Sequence, residues 1–407
     1  MPPTIPPQRL RAIREALPAL SRATYLNTGT AGPLPEAAAD ALQDAFAAEV
    51  ARGRIGPDAW ERGREAAAAV RGELAPLLAT PPDRLALLHH STDGLNAAAL
   101  GLRWQPGDAV VITDLEHAAV QLVAGMLRLR HGVEVRVARL SEACGGVGRT
   151  QAGGEGAGRV DEERSARLVA DEMRDGRVRA VFLSHVSYAT GAVLPVHAVA
   201  AVAHARGAAV VVDGAQGVGA LAVRPAELGC DFYTVSGQKW LCGPEGTGAL
   251  WVAPGWEERL LPGVTGYAGV VGLDDREGHF LPAAGARRLE VGTRFGPGLA
   301  GWAAALRYLA GIGWEAVWAR TAELAARCRN SLAEVPGVHL LTPEPHAGLV
   351  SFRVDGCSGE DAARRLTQGG YWVRSVPGWG ATRASLGFFL EEEEVDGLVR
   401  SVAALVP

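Results

Sequence analysis

The sequence predicts an α/β protein, with a large domain on a mostly parallel sheet wrapped by helices and a smaller α+β C-terminal domain. Two patterns predict it. From about Pro35 to Ala253, short apolar runs alternate with amphipathic helical stretches, as expected for strands covered on both faces by crossover helices. Beyond Pro262 the texture changes to a Gly-rich connector, then to long helices followed by strands. The length permits both domains, since 407 residues of which 48% are hydrophobic can fill two cores.

Taken in order, residues 1–24 read as an N-terminal arm, 25–264 as the large domain, and 265–407 as the connector and small domain. Pro35 to Arg52 reads as a helix with proline near its first turn, and Asp58 caps a second helix running to about Leu78. Strands are expected at Leu85 to His89, Ala109 to Thr113, Val133 to Ala138, Arg179 to Ser184, Ala208 to Val212, Phe232 to Ser236 and Gly248 to Ala253. Ala143 to Arg159 is Gly-rich and without period, hence a surface insertion, and a helical pattern resumes over Asp161 to Asp175. Long helices cover Leu299 to Val335. Strands follow at Val338 to Leu341, Leu349 to Val354, Tyr371 to Ser375 and Thr382 to Leu386, with helices at about Gly359 to Gln368 and Glu391 to Leu405. The acidic run Glu391 to Glu394 suits the positive end of the last helix dipole.

A net charge of −5 with interleaved signs leaves no basic stripe, which argues against nucleic acid or anionic membranes as partners. The apolar tract Arg179 to Val223 is broken by Pro195, His204, Arg206 and Asp213, so it reads as buried strands and helices and not as a membrane span. No signal peptide is read at the N-terminus. Five scattered cysteines without a C-x-x-C pair point to reduced thiols and a cytoplasmic protein.

The 40 basic residues comprise 39 arginines and one lysine, Lys239. Codon bias accounts for the loss of lysine wherever only charge matters, but an amine can lose its proton and attack a carbonyl, which guanidinium does not. Lys239 lies in the Gly-rich stretch Val235 to Gly248, just after a predicted strand. Upstream, the strand Ala208-Ala-Val-Val-Val-Asp213 ends in a carboxylate followed by Gly-Ala-Gln216. The interval between Asp213 and Lys239 accommodates one helix and one strand, which returns both residues to the same sheet edge. An amine facing a buried carboxylate suits pyridoxal phosphate, with lysine on its aldehyde and aspartate on its pyridine nitrogen.

On these residues the chain resembles the class V aminotransferase family of fold-type-I pyridoxal-phosphate enzymes. It is most similar to the branch of cysteine desulfurases, cystine and related C–S lyases, and isopenicillin N epimerase. The resemblance runs from Tyr25-Leu-Asn-Thr-Gly29 to Arg383-Ala-Ser385 and implies a homodimer with two active sites at the subunit interface. It implies Lys239 as the Schiff-base lysine, Asp213 as partner of the pyridine nitrogen, Gln216 beside the phenolic oxygen and His117, in Asp114-Leu-Glu-His-Ala118, stacked on the ring. Ser91 and Thr92, opening a helix in His90-Ser-Thr-Asp-Gly94, and Ser236 would bind the phosphate. Thr293, in Glu290-Val-Gly-Thr293, would complete the phosphate cup of the other subunit. Arg383 would grip the substrate α-carboxylate as a bidentate donor, with Asn27 to Gly29 lining the substrate side.

Departures from the family pattern bear on the reaction. Gln238 stands where the lysine motif usually carries histidine, and Tyr188, in Ser184-His-Val-Ser-Tyr-Ala-Thr-Gly191, stands where desulfurases commonly carry asparagine near the cofactor. The loop Arg374-Ser-Val-Pro-Gly-Trp-Gly-Ala-Thr-Arg383 contains no cysteine, whereas a desulfurase needs a thiolate there to take sulfur. The expected function is therefore β-elimination from a cysteine- or cystine-type amino acid by a C–S lyase. Transamination, epimerisation and a desulfurase-like activity are the alternatives within the family. A dinucleotide-dependent oxidoreductase on a doubly wound scaffold is the alternative from a different class, although Gly214-x-x-Gly217-x-Gly219 lacks the dinucleotide spacing. Trp240 and Trp379 are expected to flank the site.

Overall fold

A computed structural model describes residues 4–145, 158–274 and 276–407. The elements up to the end of the main sheet are α1 (Pro7–Glu15), β1 (Thr24–Tyr25), α2 (Glu36–Arg52), α3 (Pro57–Leu77), β2 (Leu85–Leu88), α4 (Ser91–Gly101), β3 (Ala109–Thr113), α5 (Ala118–His131), β4 (Glu134–Ala138), α6 (Glu162–Asp171), β5 (Val178–Ser184), α7 (Val196–His204), β6 (Ala209–Asp213), α8 (Pro225–Leu228), β7 (Phe232–Ser236) and β8 (Gly248–Val252). There follow α9 (Trp256–Arg259), β9 (Val270–Asp274), β10 (His279–Pro282), α10 (Gly296–Ile312), α11 (Trp314–Ala333), β11 (Val338–Leu340), β12 (Leu349–Val354), α12 (Gly359–Gln368), β13 (Tyr371–Trp372), β14 (Arg374–Val376), β15 (Ala381–Ser385) and α13 (Glu392–Ala403).

The main sheet has seven strands in the order β2-β8-β7-β6-β5-β3-β4, all parallel except β8, which runs antiparallel to both neighbours. Its apolar runs are continuous because both faces are covered. Along β5 and β6 the side chains alternate: Val181, Leu183, Val210 and Val212 enter the core on one face, and Phe182 and Val211 enter the core on the other. Each such side chain, fully buried, contributes about 1.5–3 kcal/mol. That burial makes the strands a rigid frame whose carboxyl ends can hold strained or unpaired polar groups.

A second sheet, β11-β12-β15-β14, is antiparallel throughout. Its core includes Phe352, Phe389 and Leu398 together with Ile13, Leu17 and Leu20 from the N-terminal arm. The arm thus contains a helix that the reading of residues 1–24 lacks, although the spacing Leu10, Ile13, Leu17, Leu20 carries its signal. Arg14 anchors it, donating from Nη1 to Glu394 Oε2 at 2.7 Å. The acidic run opens α13 as expected, with Glu394 Oε2 accepting from the Glu391 N–H at 2.8 Å. Helix α10 joins the two cores, giving Leu299, Trp302 and Leu306 to the first and Leu309 and Ile312 to the second.

Two details differ from expectation. The single strand read over Tyr371 to Ser375 is divided at Val373, because β13 pairs with β1 while β14 pairs with β15. The connector after Pro262 contains the antiparallel hairpin β9–β10. Most of the Gly-rich insertion, residues 146–157, lies outside the described residues, and Cys144 at its start is buried in the core. No helix among the described residues is long and apolar enough to cross a membrane.

Candidate active site

Parallel pairing of β6 with β7 brings Asp213, the last residue of β6, and the turn that carries Lys239 to one edge of the sheet. Ser184, which ends β5, stands in register with Asp213. His117, Ser184, Tyr188, Asp213, Gln216 and Lys239 line one cavity there. The N-terminal segment closes over the lysine turn, with the Gly32 N–H donating to the Gln238 carbonyl at 2.7 Å. A Cβ on Gly32 would lie 2.3 Å from the Lys239 carbonyl oxygen, so this approach requires glycine.

Desolvation pushes the Lys239 amine down to about 8; Asp213 opposes that shift and the charges of Arg383 and Arg374 add to it. Asp213 is 6% exposed and accepts at Oδ1 from the Ala215 N–H at 3.0 Å, which fixes its plane. His117 caps α5 by accepting from the Ala119 N–H at 3.2 Å, and its ring meets Tyr188 edge to face at 4.9 Å. The capping and the cavity-lining roles of His117 therefore coexist. Gln216 is clamped at both ends: Nε2 donates to the Gly29 carbonyl, and Oε1 accepts from Trp240 Nε1, each at 2.8 Å.

At the start of α4, Ser91 and Ser236 face each other with their hydroxyls 3.0 Å apart. His90 caps the helix, and its Nδ1 lies 3.0 Å from Thr92 Oγ1. Its other ring nitrogen is 3.3 Å from Gln238 Nε2, so the glutamine in the lysine motif rests against a histidine from a different element. Burial, then the Lys239 charge, lowers the His90 pKa.

Arg383 is 1% exposed and reaches the cavity lining through Tyr188, donating from Nη1 to its carbonyl at 2.7 Å. Its Nε is buried without a hydrogen-bond partner among the described residues. Asn27 is linked to Arg383 through Thr30, whose hydroxyl donates to Asn27 Oδ1 at 2.7 Å and accepts from Arg383 Nη2 at 3.4 Å.

The family model for the class-V aminotransferases matches residues 24–151 and 155–398. This chain belongs to the class V aminotransferase family. It is 33% identical to an isopenicillin N epimerase from Streptomyces clavuligerus over 93% of this chain and 94% of that protein. It is 32% identical to a probable cysteine desulfurase from Pseudomonas aeruginosa, over 92% and 91%. Among solved structures, the cystine C–S lyase C-DES in complex with its reaction product cysteine persulfide superposes with a TM-score of 0.87 at 27% identity, covering 96% of this chain and all of that one. A second C-DES structure, with glycine covalently linked to the PLP cofactor, gives 0.86 at 27% identity over 96% and 98%. The family is pyridoxal-phosphate dependent, and this class V protein is a fold-type-I pyridoxal-phosphate enzyme.

The donor set of this class V chain suits that cofactor. An amine with a lowered pKa meets an aldehyde, a buried carboxylate meets a ring nitrogen, and paired hydroxyls at a helix N-terminus meet a phosphate. The orphaned Nε of Arg383 also calls for an anion.

Among the expected residues that do not line this cavity are Thr293 and Trp379. Thr293 is exposed and hydrogen-bonds the Tyr267 hydroxyl. It sits in a stretch whose Val264, Tyr267, Phe280, Val291 and Phe295 are also exposed. Trp379 is 1% exposed and belongs to the core, whereas Trp240 touches the site through Gln216.

The sequence reading did not single out Glu116, which is fully buried beside His117. It accepts from Thr113 Oγ1 at 2.5 Å, and from the Ser184 N–H at 3.1 Å and Ser184 Oγ at 2.6 Å. Desolvation outweighs these hydrogen bonds and raises its pKa to about 7. Because folding strengthens proton binding, the stability Glu116 contributes is complete below its ordinary 4.5 and is lost as pH rises through about 7. Glu116→Gln is expected to flatten the decline in denaturant midpoint between pH 5 and pH 8, a difference of up to about 3 kcal/mol. Parallel pH profiles for the two proteins would refute this.

Proposed function

We propose that this class V enzyme is a C–S lyase that eliminates a sulfur leaving group from the β-carbon of an α-amino acid. The supporting observation is the cleft itself: a single desolvated amine and a buried carboxylate share it with the charge of Arg383, which has no acidic partner among the described residues, and the loop from Arg374 to Arg383 offers no thiol. Lacking that thiol, the cleft has no acceptor for a desulfurase's sulfur. Cys242 is no substitute, since burial holds its thiol up at about 12.

Lys239 is the residue we assign to cofactor attachment, and its free amine would remove the Cα proton. Asp213 would hold a proton at the ring nitrogen, His117 would cover the ring, and Gln216 would stand beside the phenolic oxygen. Ser91, Thr92 and Ser236 would hold the phosphate. Pyridoxal phosphate supplies the conjugated ring that accepts the electron pair left at Cα. Arg383 binds the α-carboxylate, with Asn27 and Gly29 on the same side, and Tyr188 orients His117 through its ring edge. The products are pyruvate, ammonia and a thiol or persulfide. We further propose a cytoplasmic homodimer in which the exposed stretch around Thr293 meets the second copy and Thr293 completes that copy's phosphate site.

The reading is tested by offering the loaded enzyme a panel of amino acids, including cystine and cysteine conjugates, and assaying pyruvate, released sulfur and pyridoxamine phosphate together. Pyruvate and sulfur in equal amounts are expected. Pyridoxamine phosphate without pyruvate would reassign the enzyme to transamination, and loss of optical purity without either product would reassign it to epimerisation.

A further inference from the structure

Glu116, between β3 and α5, is fully buried, and its two carboxyl oxygens have different neighbours. Oε1 accepts twice, from the Thr113 hydroxyl at 2.5 Å and from the Ser184 N–H at 3.1 Å. The Thr113 hydroxyl also accepts from the Leu115 N–H at 3.2 Å, and Oε1 is the acceptor its own hydrogen reaches among the described residues. Oε2 meets the Ser184 hydroxyl at 2.6 Å. A proton held by this carboxyl therefore belongs on Oε2, on the line to Ser184 Oγ.

Ser184 ends β5 in register with Asp213, and it lines the cavity together with Lys239. Its hydroxyl has a single hydrogen to give. When Glu116 is ionised, that hydrogen is drawn to Oε2. When Glu116 is protonated, Oε2 supplies the hydrogen of the bond, and the Ser184 hydrogen is released toward an acceptor in the cavity. Burial and, as the smallest contribution, the charge of Asp213 on β6 favour the protonated carboxyl, the hydrogen bonds from Ser184 and Thr113 oppose them, and the balance falls at about 7. No cation pairs with Glu116 among the described residues. Of the nearby histidines, His117 caps α5 through Ala119, and His185 is turned to the Tyr233 hydroxyl at 2.7 Å. We propose that Glu116 is a positioning residue that acts on the cofactor through Ser184, giving the cavity a hydroxyl donor when protonated and withdrawing it when ionised. This rests on the placement of the cofactor beside Lys239.

The cofactor-loaded protein is titrated between about pH 5 and pH 9, following the visible band and, by difference infrared spectroscopy, the carbonyl stretch of a protonated carboxyl. In the parent, a buried-carboxyl signal is expected to disappear around pH 7, and the visible band to shift at the same midpoint. Glu116→Gln keeps an acceptor for Thr113 and a donor toward Ser184, so it holds the protonated arrangement. Infrared signal and visible step should both be lost, with the band fixed at its acid position. Ser184→Ala leaves the carboxyl and removes the hydroxyl, so the infrared titration should persist while the visible step vanishes. A step retained in Glu116→Gln would overturn the proposal, because it would then belong to another group. A step retained in Ser184→Ala would overturn it as well, since Glu116 would not act through that hydroxyl, and so would a parent whose visible band does not follow the carboxyl. A visible band that survives Lys239→Ala would instead defeat the placement of the cofactor in this cavity.

Discussion

Lys239→Ala is expected to abolish the lysine-dependent visible band of the bound cofactor and to lower kcat by at least about 10³-fold, the scale of losing a positioned general base. The fold should survive, since Lys239 makes no ion pair among the described residues and its turn is held by backbone bonds, including Gly243 N–H to the Gly237 carbonyl at 2.8 Å. Absorption spectra and single-turnover rates of the purified variant check both points. An unchanged band, or turnover within tenfold of the parent, would remove Lys239 from the chemistry. No other lysine in the chain can take its place.

Arg383→Met separates function from stability. The guanidinium is buried with one nitrogen unsatisfied among the described residues, and burial followed by the neighbouring Arg374 charge disfavours its protonated form. Removing an uncompensated buried cation and refilling its volume offsets the loss of the donor to Tyr188, so the thermal midpoint of the apo protein is expected to hold or rise. Activity should move the other way, with kcat/KM falling about 10²–10³-fold as a charge-assisted, bidentate contact to the substrate is lost. A variant that loses stability and keeps its kcat/KM would mark Arg383 as a structural residue.

The main sheet was almost fully legible because its strands are buried on both faces, and each reads as a short apolar run bounded by turns. Helices between them followed from the change of period. The N-terminal helix was less visible because its apolar positions are interrupted by Arg9, Arg11 and Arg14, one of which makes a tertiary ion pair. The break at Val373 could not be read, since strand propensity is the same on either side and only the competing partners β1 and β15 divide it.

The site shows the same division. Lys239 stood out because one amine among 39 guanidiniums is chemically distinct, and Asp213 because a carboxylate ends an apolar strand. Glu116 and Ser184 carried no such mark: their side chains are common, and their importance lies in what surrounds them. Sequence by itself determined the chemistry available, namely one nucleophilic amine, an aspartate at a strand end, and a loop without a thiol. Tertiary structure decided which common residues join them, by burying Glu116 against Ser184 at the cavity wall. The physical reason is that reactivity belongs to the residue type, whereas desolvation and unmet charge depend on neighbours far apart in the chain.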